Sequence, residues 1–233
     1  NIAEIIRQTV DPIARCAPEP ITSPGTITTS GCYCLGNDIA GQLVIDVDNV
    51  CLDLNGYCVA DNETSIVVNG HNNITIKNGC VTSLLEEGSC TGILMQDGSQ
   101  TLIIDVQFRN NNNVTFTGIL ILGYQCCTVC DCHFWDNQYG ICLENSASNT
   151  AQLNVVKDNV FIVPFQNLAI KNNGECNSFF GNWACGIGSG FVTDLYFNVP
   201  NVRYENDPPL YRFYNIQCLC ALDSLLPCPY MPV

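Results

Sequence analysis

Basic residues are nearly missing from this chain. Eight Lys and Arg stand against 22 Asp and Glu in 233 residues, a formal net charge of −14. A nucleic-acid binder needs a basic stripe to displace counterions, and none exists here. An anionic membrane or a polyanionic substrate is repelled unless a cation bridges. Charge of either sign is scarce, at 13% of residues, about half the usual share. No apolar run approaches the roughly 20 residues of a membrane helix, so no membrane insertion is expected. Only two histidines occur, His71 and His133. Helical periodicity is missing from the middle of the chain, which excludes helical and leucine-rich repeats.

Two things are abundant. Hydrophobic residues make up 47%, enough to bury a core in one large all-β domain. Cysteine occurs seventeen times. Reducing compartments rarely hold so much, so a disulfide-rich protein is expected, in an extracellular or virion- or cell-surface setting. The chain opens on Asn1 and not Met, and removal of a signal peptide is the simplest account. Sequons at Asn62, Asn73 and Asn113 are glycosylation candidates, although about three arise by chance at this composition.

The stretch "DVDNVCLDLNGYCV", residues 46–59, says strand, turn, strand, and the chain repeats it. "IKNGCV" at 76 has the same Asn-Gly pair. "TLIIDVQF", "CTVCDCHF" and "NVVKDNVF" then end in Phe108, Phe134 and Phe161, each with an Asp three residues earlier. The turn column is therefore Asn55, Asn78, Asp105, Asp131 and Asp158, with spacings of 23, 27, 26 and 27. A second column opens strands with a small residue: "SIVV" at 65, "GILM" at 92, "GILI" at 118 and "GICL" at 140. Units of this size with two or three short strands disfavour a sandwich, where strands pair as hairpins.

The remaining solution is a single-stranded, right-handed parallel β-helix, one repeat per coil. Strands are expected at 43–47, 50–54, 65–68, 73–77, 92–95, 101–105, 118–122, 140–143 and 153–156. Inward residues form columns, so Val81, Phe108, Phe134 and Phe161 should pile up. Asn is expected at the corners for its tolerance of left-handed backbone and its side-chain ladders. About seven coils give a rod of roughly 35 Å.

The stretch "ITSPGTITTSGCYCLGNDIAGQLVIDVDNVCLDLNGYCV" resembles the opening coils of right-handed parallel β-helix repeat proteins of the pectin-lyase-like superfamily. The likeness covers about residues 21–197 and includes the Leu-Asp-Leu-Asn-Gly phrase. It implies the fold and leaves the function open, since that superfamily holds polysaccharide lyases, glycoside hydrolases, tailspikes and non-enzymatic surface proteins.

Both ends depart from the repeat. Ile2, Ile5, Ile6, Val10 and Ile13 share one helical face, so residues 1–20 read as a helical cap or arm before a β-helix over 21–199. Residues 200–233 read as a Pro- and Cys-rich extended arm, lying on its own rod or on a neighbour.

The chemistry-bearing residues are few. Lyases of the superfamily need a calcium-binding carboxylate cluster with an Arg or Lys base, and its hydrolases need paired Asp or Glu. Asp105, Asp131 and Asp158 share a column at about 5 Å spacing, and like charges there repel unless a cation or N–H groups satisfy them. Turn capping is the preferred reading, with calcium the alternative. No other cofactor or metal is expected. His71 in "NGHNN" is similar to the Gly-His-Gly of galacturonases, but Asn72 stands where the second Gly belongs, and the rest of that catalytic set is absent. A loop role is expected. His133 should face solvent, with Asp131 and Asp136 as neighbours for general-base work. Arg109 is the one basic residue expected near the acidic column. Trp135, if exposed, offers a ring for a sugar.

"CCTVCDCHF" is the densest signal. Cys127-x-x-Cys130 is half a zinc site without its other half. Cys130 and Cys132 are expected on one strand face, where disulfides between coils are the better reading. All seventeen cysteines are disulfide candidates: Cys16, Cys32, Cys34, Cys51, Cys58, Cys80, Cys90, Cys126, Cys127, Cys130, Cys132, Cys142, Cys176, Cys185, Cys218, Cys220 and Cys228. The end segments carry Cys16, Cys218, Cys220 and Cys228, the candidates for links between subunits. A head-to-tail link consumes two cysteines per chain and leaves one of seventeen unpaired; a two-fold link consumes one. The leading expectation is a non-enzymatic structural protein that associates with itself into a disulfide-stabilised oligomer or fibre. The alternative is a carbohydrate-binding or polysaccharide-degrading, tailspike-like protein with glycans as partner.

Overall fold

Apolar and polar residues alternate along each strand until a residue in left-handed backbone breaks the pattern and turns the chain. Two columns of such corners run through the molecule. Asn55, Asn78, Asp105, Asp131 and Asp158 have φ between 51° and 59°. These are the repeat positions read from the sequence. A second column, Asn49, Asn73, Gln100, Cys126, Leu153 and Cys176, has φ between 52° and 61°. It was not foreseen, because Gln, Cys and Leu carry no left-handed preference. It also corrects one strand: the segment expected at 153–156 runs Val155–Lys157, because Leu153 is itself a corner.

The computed structural model describes residues 19–110, 115–163, 168–186 and 210–212. The helical cap lies outside the described residues up to residue 18, as does the C-terminal arm apart from Leu210–Arg212. The described residues contain strands and no helix. Strands pair in parallel with their equivalents one coil away, giving a 14-stranded and a 7-stranded sheet. Five complete turns run from Val50 to Asn172, with shorter coils on both sides. The chain is thus a parallel β-solenoid. Val50–Asp53 and Cys58–Asp61 flank Asn55-Gly56 without pairing as a hairpin. Both pair instead with Asn72–Ser83 of the next coil. Among the described residues, one ladder is antiparallel: Leu210–Arg212 lies along Trp183–Gly186 and extends the larger sheet at its last coil.

Inward residues stack in register. Val59, Val81, Phe108, Phe134 and Phe161 form one column. Phe108 and Phe134 stack at 4.7 Å and 6°, and Phe134 and Phe161 at 4.7 Å and 10°. This column explains the small-residue column of Ser65, Gly92, Gly118, Gly140 and Ala169. A Cβ on Gly118 would sit 2.8 Å from the Phe134 ring and 2.6 Å from the Gly140 carbonyl oxygen. A Cβ on Gly140 would sit 2.6 Å from Phe161. Aromatic stacking on one wall thus requires almost no side chain at the start of the facing strand.

Except at Asn55, which the exposed Gly56 follows, the residue after each of these corners points inward, and its chemistry changes along the stack. The second corner column leads through Val50, Ile74, Thr101 and Cys127 to Asn154 and Asn177. The first leads through Gly79, Val106 and Cys132 to Asn159 and Asn182. Asn154 Nδ2 donates to Asn177 Oδ1 at 3.0 Å, and Asn159 Nδ2 donates to Asn182 Oδ1 at 3.0 Å. The buried Asn ladders therefore lie one residue inside the corners, while an exposed Asn pair, Asn73 Nδ2 donating to Asn49 Oδ1 at 2.8 Å, joins two corners directly. Satisfied buried amides of this kind fix register, since a slipped coil leaves them unpaired.

Candidate functional site

The outer wall of the larger sheet gathers most of the chemistry-bearing residues named above. Gln107 and Arg109, in strand Ser99–Arg109, face His133 and Trp135 on the next coil. Trp135 in turn faces Ile162, which is 38% exposed. The Arg109 guanidinium carbon lies 4.9 Å from the Trp135 ring centroid, a cation–π contact. Its Nη2 also donates to Gln107 Oε1. Arg109 therefore holds the indole and does not reach into the acidic column. Lys157 flanks that column instead, next to Asp158, while Lys77 Nζ pairs with Asp53 Oδ2 at 3.6 Å outside it.

His133 is exposed, as its alternation with Phe134 requires. Its ring packs on Trp135 with centroids 5.3 Å apart. Among the described residues it makes no hydrogen bond to Asp131 or Asp136, so no base–orienter pair exists there. The aspartates of the turn column are exposed corner residues. Among the described residues, no group of three or more His, Cys, Asp or Glu is arranged to hold a metal ion. Chemically the wall offers an aromatic, partly apolar surface bounded by carboxylates.

His71 is more than a loop residue. Its Nδ1 lies 3.2 Å from Asp48 Oδ1 and its Nε2 lies 3.1 Å from Asp46 Oδ1, both on the preceding coil. The Asn72 N–H donates to Asp48 Oδ1 at 2.9 Å. Inside the coil, the buried Tyr124 hydroxyl donates to the His71 carbonyl at 2.6 Å. The imidazole is thus a rivet between coils. Its partners were legible only as residues one repeat earlier. A second rivet joins Asp97 to the Ser146 hydroxyl at 2.6 Å and to Asn149 Nδ2 at 3.0 Å. In a third, Lys171 Nζ donates to Glu144 Oε1 at 2.6 Å.

These rivets set an acid limit. The Asn72 N–H, then His71, hold Asp48 below its ordinary pKa of 3.8. Ser146, then Asn149, do the same for Asp97, and Lys171 holds Glu144 below 4.5. A carboxyl depressed in the folded state adds stability above its unfolded pKa and loses it as pH falls through the folded one. The thermal midpoint should therefore hold steady down to about pH 5 and fall progressively below about pH 4. Calorimetry across that range checks it. A midpoint unchanged at about pH 3 would contradict the assignment.

The cysteines divide by environment. Cys32 faces Cys51 on neighbouring strands, and Cys58 faces Cys80. Cys127 and Cys132 are fully buried, where desolvation pushes both thiols up. Cys130 belongs to the opposite face, beside Asp131 and Lys157, and burial pushes it up to about 11. The expectation that Cys130 and Cys132 share a face is thus corrected: the corner at Asp131 turns the chain between them. Alternation along strand Thr128–Cys130 likewise puts Cys130 on the face opposite the inward Cys127 and Val129. Burial, then the Glu144 charge, pushes Cys142 up to about 12. Cys176 is disulfide-bonded. Cys16, Cys218, Cys220 and Cys228 lie outside the described residues. Asn62 and Asn73 are exposed, and Asn73 also donates to Asn49 Oδ1 at 2.8 Å; Asn113 lies outside the described residues. No protein family, curated protein or solved structure matches the chain.

Proposed function

We propose that this chain is a non-enzymatic structural β-solenoid of an oxidising setting, secreted or on a virion or cell surface. In this reading it assembles with itself, through its end segments, into a disulfide-stabilised oligomer or fibre. The pectin-lyase-like superfamily is the proposed kinship, resting on the opening coils at 21–59. The observation that carries the assembly is the state of the smaller sheet's edges. Gly25–Ile27 at one end and Leu168–Asn172 at the other each pair on one side only among the described residues. A one-sided parallel edge is a template for another strand, and a solenoid presents one at each end. End-to-end addition is heterologous and grows a filament unless the rotation closes. In this reading Cys16 of the N-terminal segment and Cys218, Cys220 and Cys228 of the C-terminal segment supply the covalent links.

Non-reducing gels of native material should show ladders or unentered aggregate that collapses on reduction to 25.5 kDa. Light scattering before reduction should report masses well above one chain. A monomer by both measures at high concentration overturns the proposal.

A further inference from the structure

Cys58 and Cys80 stand directly opposite each other on the neighbouring parallel strands Cys58–Asp61 and Asn72–Ser83. Gly79 makes this a place of close approach. A Cβ there would fall 2.3 Å from Leu54 Cβ and 2.7 Å from the Tyr57 carbonyl oxygen, and that oxygen accepts the Cys80 N–H at 3.0 Å. Opposed Cα atoms on neighbouring strands are about 4.8 Å apart, inside the disulfide window of roughly 4.4–6.8 Å. Facing Cβ atoms on neighbouring strands are about 4.5–5.5 Å apart and must close by about 1 Å to reach the usual disulfide separation.

We propose that Cys58 and Cys80 form a thiol–disulfide exchange site that clips two successive coils, with a small disulfide of the glutathione type as oxidant. The Cys58 thiolate attacks that disulfide, its S–S bond breaks, and one thiolate leaves. Cys80, its proton lost to solvent, then attacks the Cys58 sulfur and expels the second thiolate. The pair gives up two electrons and two protons, and the external disulfide becomes two thiols. Order of attack follows exposure: Cys58 is half-buried, whereas Cys80 is 7% exposed. Hydrogen bonding from Cys80 lowers the Cys58 pKa and raises that of Cys80. The Arg109 charge favours the thiolate at both, while the Asp38 carboxylate opposes it. Both sulfurs belong to one chain, so the site is independent of the assembly proposed above.

The test uses the full chain, reduced with dithiothreitol, freed of reductant and exposed to oxidised glutathione. Remaining thiols are alkylated and the peptides mapped by mass spectrometry. The expected product is a Cys58–Cys80 linked peptide, lighter by two hydrogens than the reduced pair. The oxidised form should melt roughly 6–12 °C above the reduced one, the effect of closing a loop of about 22 residues. In Cys80→Ser, glutathione should remain on Cys58. In Cys58→Ser, Cys80 should be alkylated only after unfolding. Full alkylation of both thiols in the folded wild type, or a bridge from Cys58 to another cysteine, overturns the proposal. The wild-type map decides alone if either variant fails to fold by circular dichroism.

Discussion

Phe134→Ala is expected to cost about 4 kcal/mol, the upper part of the range for large-to-small core changes. Phe134 is 2% exposed and is the middle ring of a three-ring stack. Its removal deletes both stacking contacts at once. The cavity it leaves cannot collapse along the stack, because backbone hydrogen bonds hold the strands above and below at their own spacing. Sideways collapse is limited as well, since Gly118 opposite offers no side chain to advance into the void. Phe134→Leu retains most of the volume and should cost about 1–1.5 kcal/mol. Urea denaturation of the reduced, monomeric chain reads both values. A loss below about 1 kcal/mol for Phe134→Ala would mean the solenoid wall is more plastic than its register implies.

Much of the fold was legible because a solenoid writes its geometry into the sequence more than once. Asn55, Asn78, Asp105, Asp131 and Asp158 are residue types that tolerate left-handed backbone, so their spacing exposed the coil length. The Phe column and the small residues facing it are two halves of one packing constraint, so each supported the register of the other. The second corner column stayed hidden, because Gln100, Cys126 and Leu153 adopt the same φ without any side-chain preference for it. There the surrounding ladders, and not local propensity, impose the conformation. The contacts at the candidate site were less legible for a similar reason. His71 reaches Asp46 and Asp48 of the coil before, 25 and 23 residues away. A reading confined to "NGHNN" sees only a loop histidine. Cys58 and Cys80 show the same limit: their facing positions follow once the coils are in register, but no local motif announces them.

Asn159→Ala is expected to cost about 3 kcal/mol or more, although it deletes few apolar atoms. The Asn159 side chain is fully buried and its hydrogen-bond partners lie on two neighbouring coils. Its Oδ1 accepts the Cys132 N–H at 2.9 Å, and its Nδ2 donates to the Val129 carbonyl at 3.0 Å and to Asn182 Oδ1 at 3.0 Å. Truncation orphans the Cys132 N–H in a dry interior and removes a donor from the Val129 carbonyl and from Asn182 Oδ1, which keeps the Asn159 N–H at 3.1 Å. Each group left without a partner costs roughly 1–3 kcal/mol. Asn159→Asp separates this account from a simple loss of volume, because it preserves size and the acceptor toward Cys132. The ionised carboxylate would face the Val129 and Asn182 oxygens where a donor stood, so the charged form is disfavoured and its folded pKa rises. A carboxyl raised in the folded state costs nothing extra while protonated and destabilises progressively as pH climbs past its unfolded value of about 3.9. The Asp variant should thus approach wild-type stability near about pH 3 and fall well below it at neutral pH, whereas the Ala variant should show a nearly constant deficit. Parallel denaturation curves at the two pH values decide it: an Asp deficit that does not grow with pH would mean that Nδ2 donation does not hold these coils together.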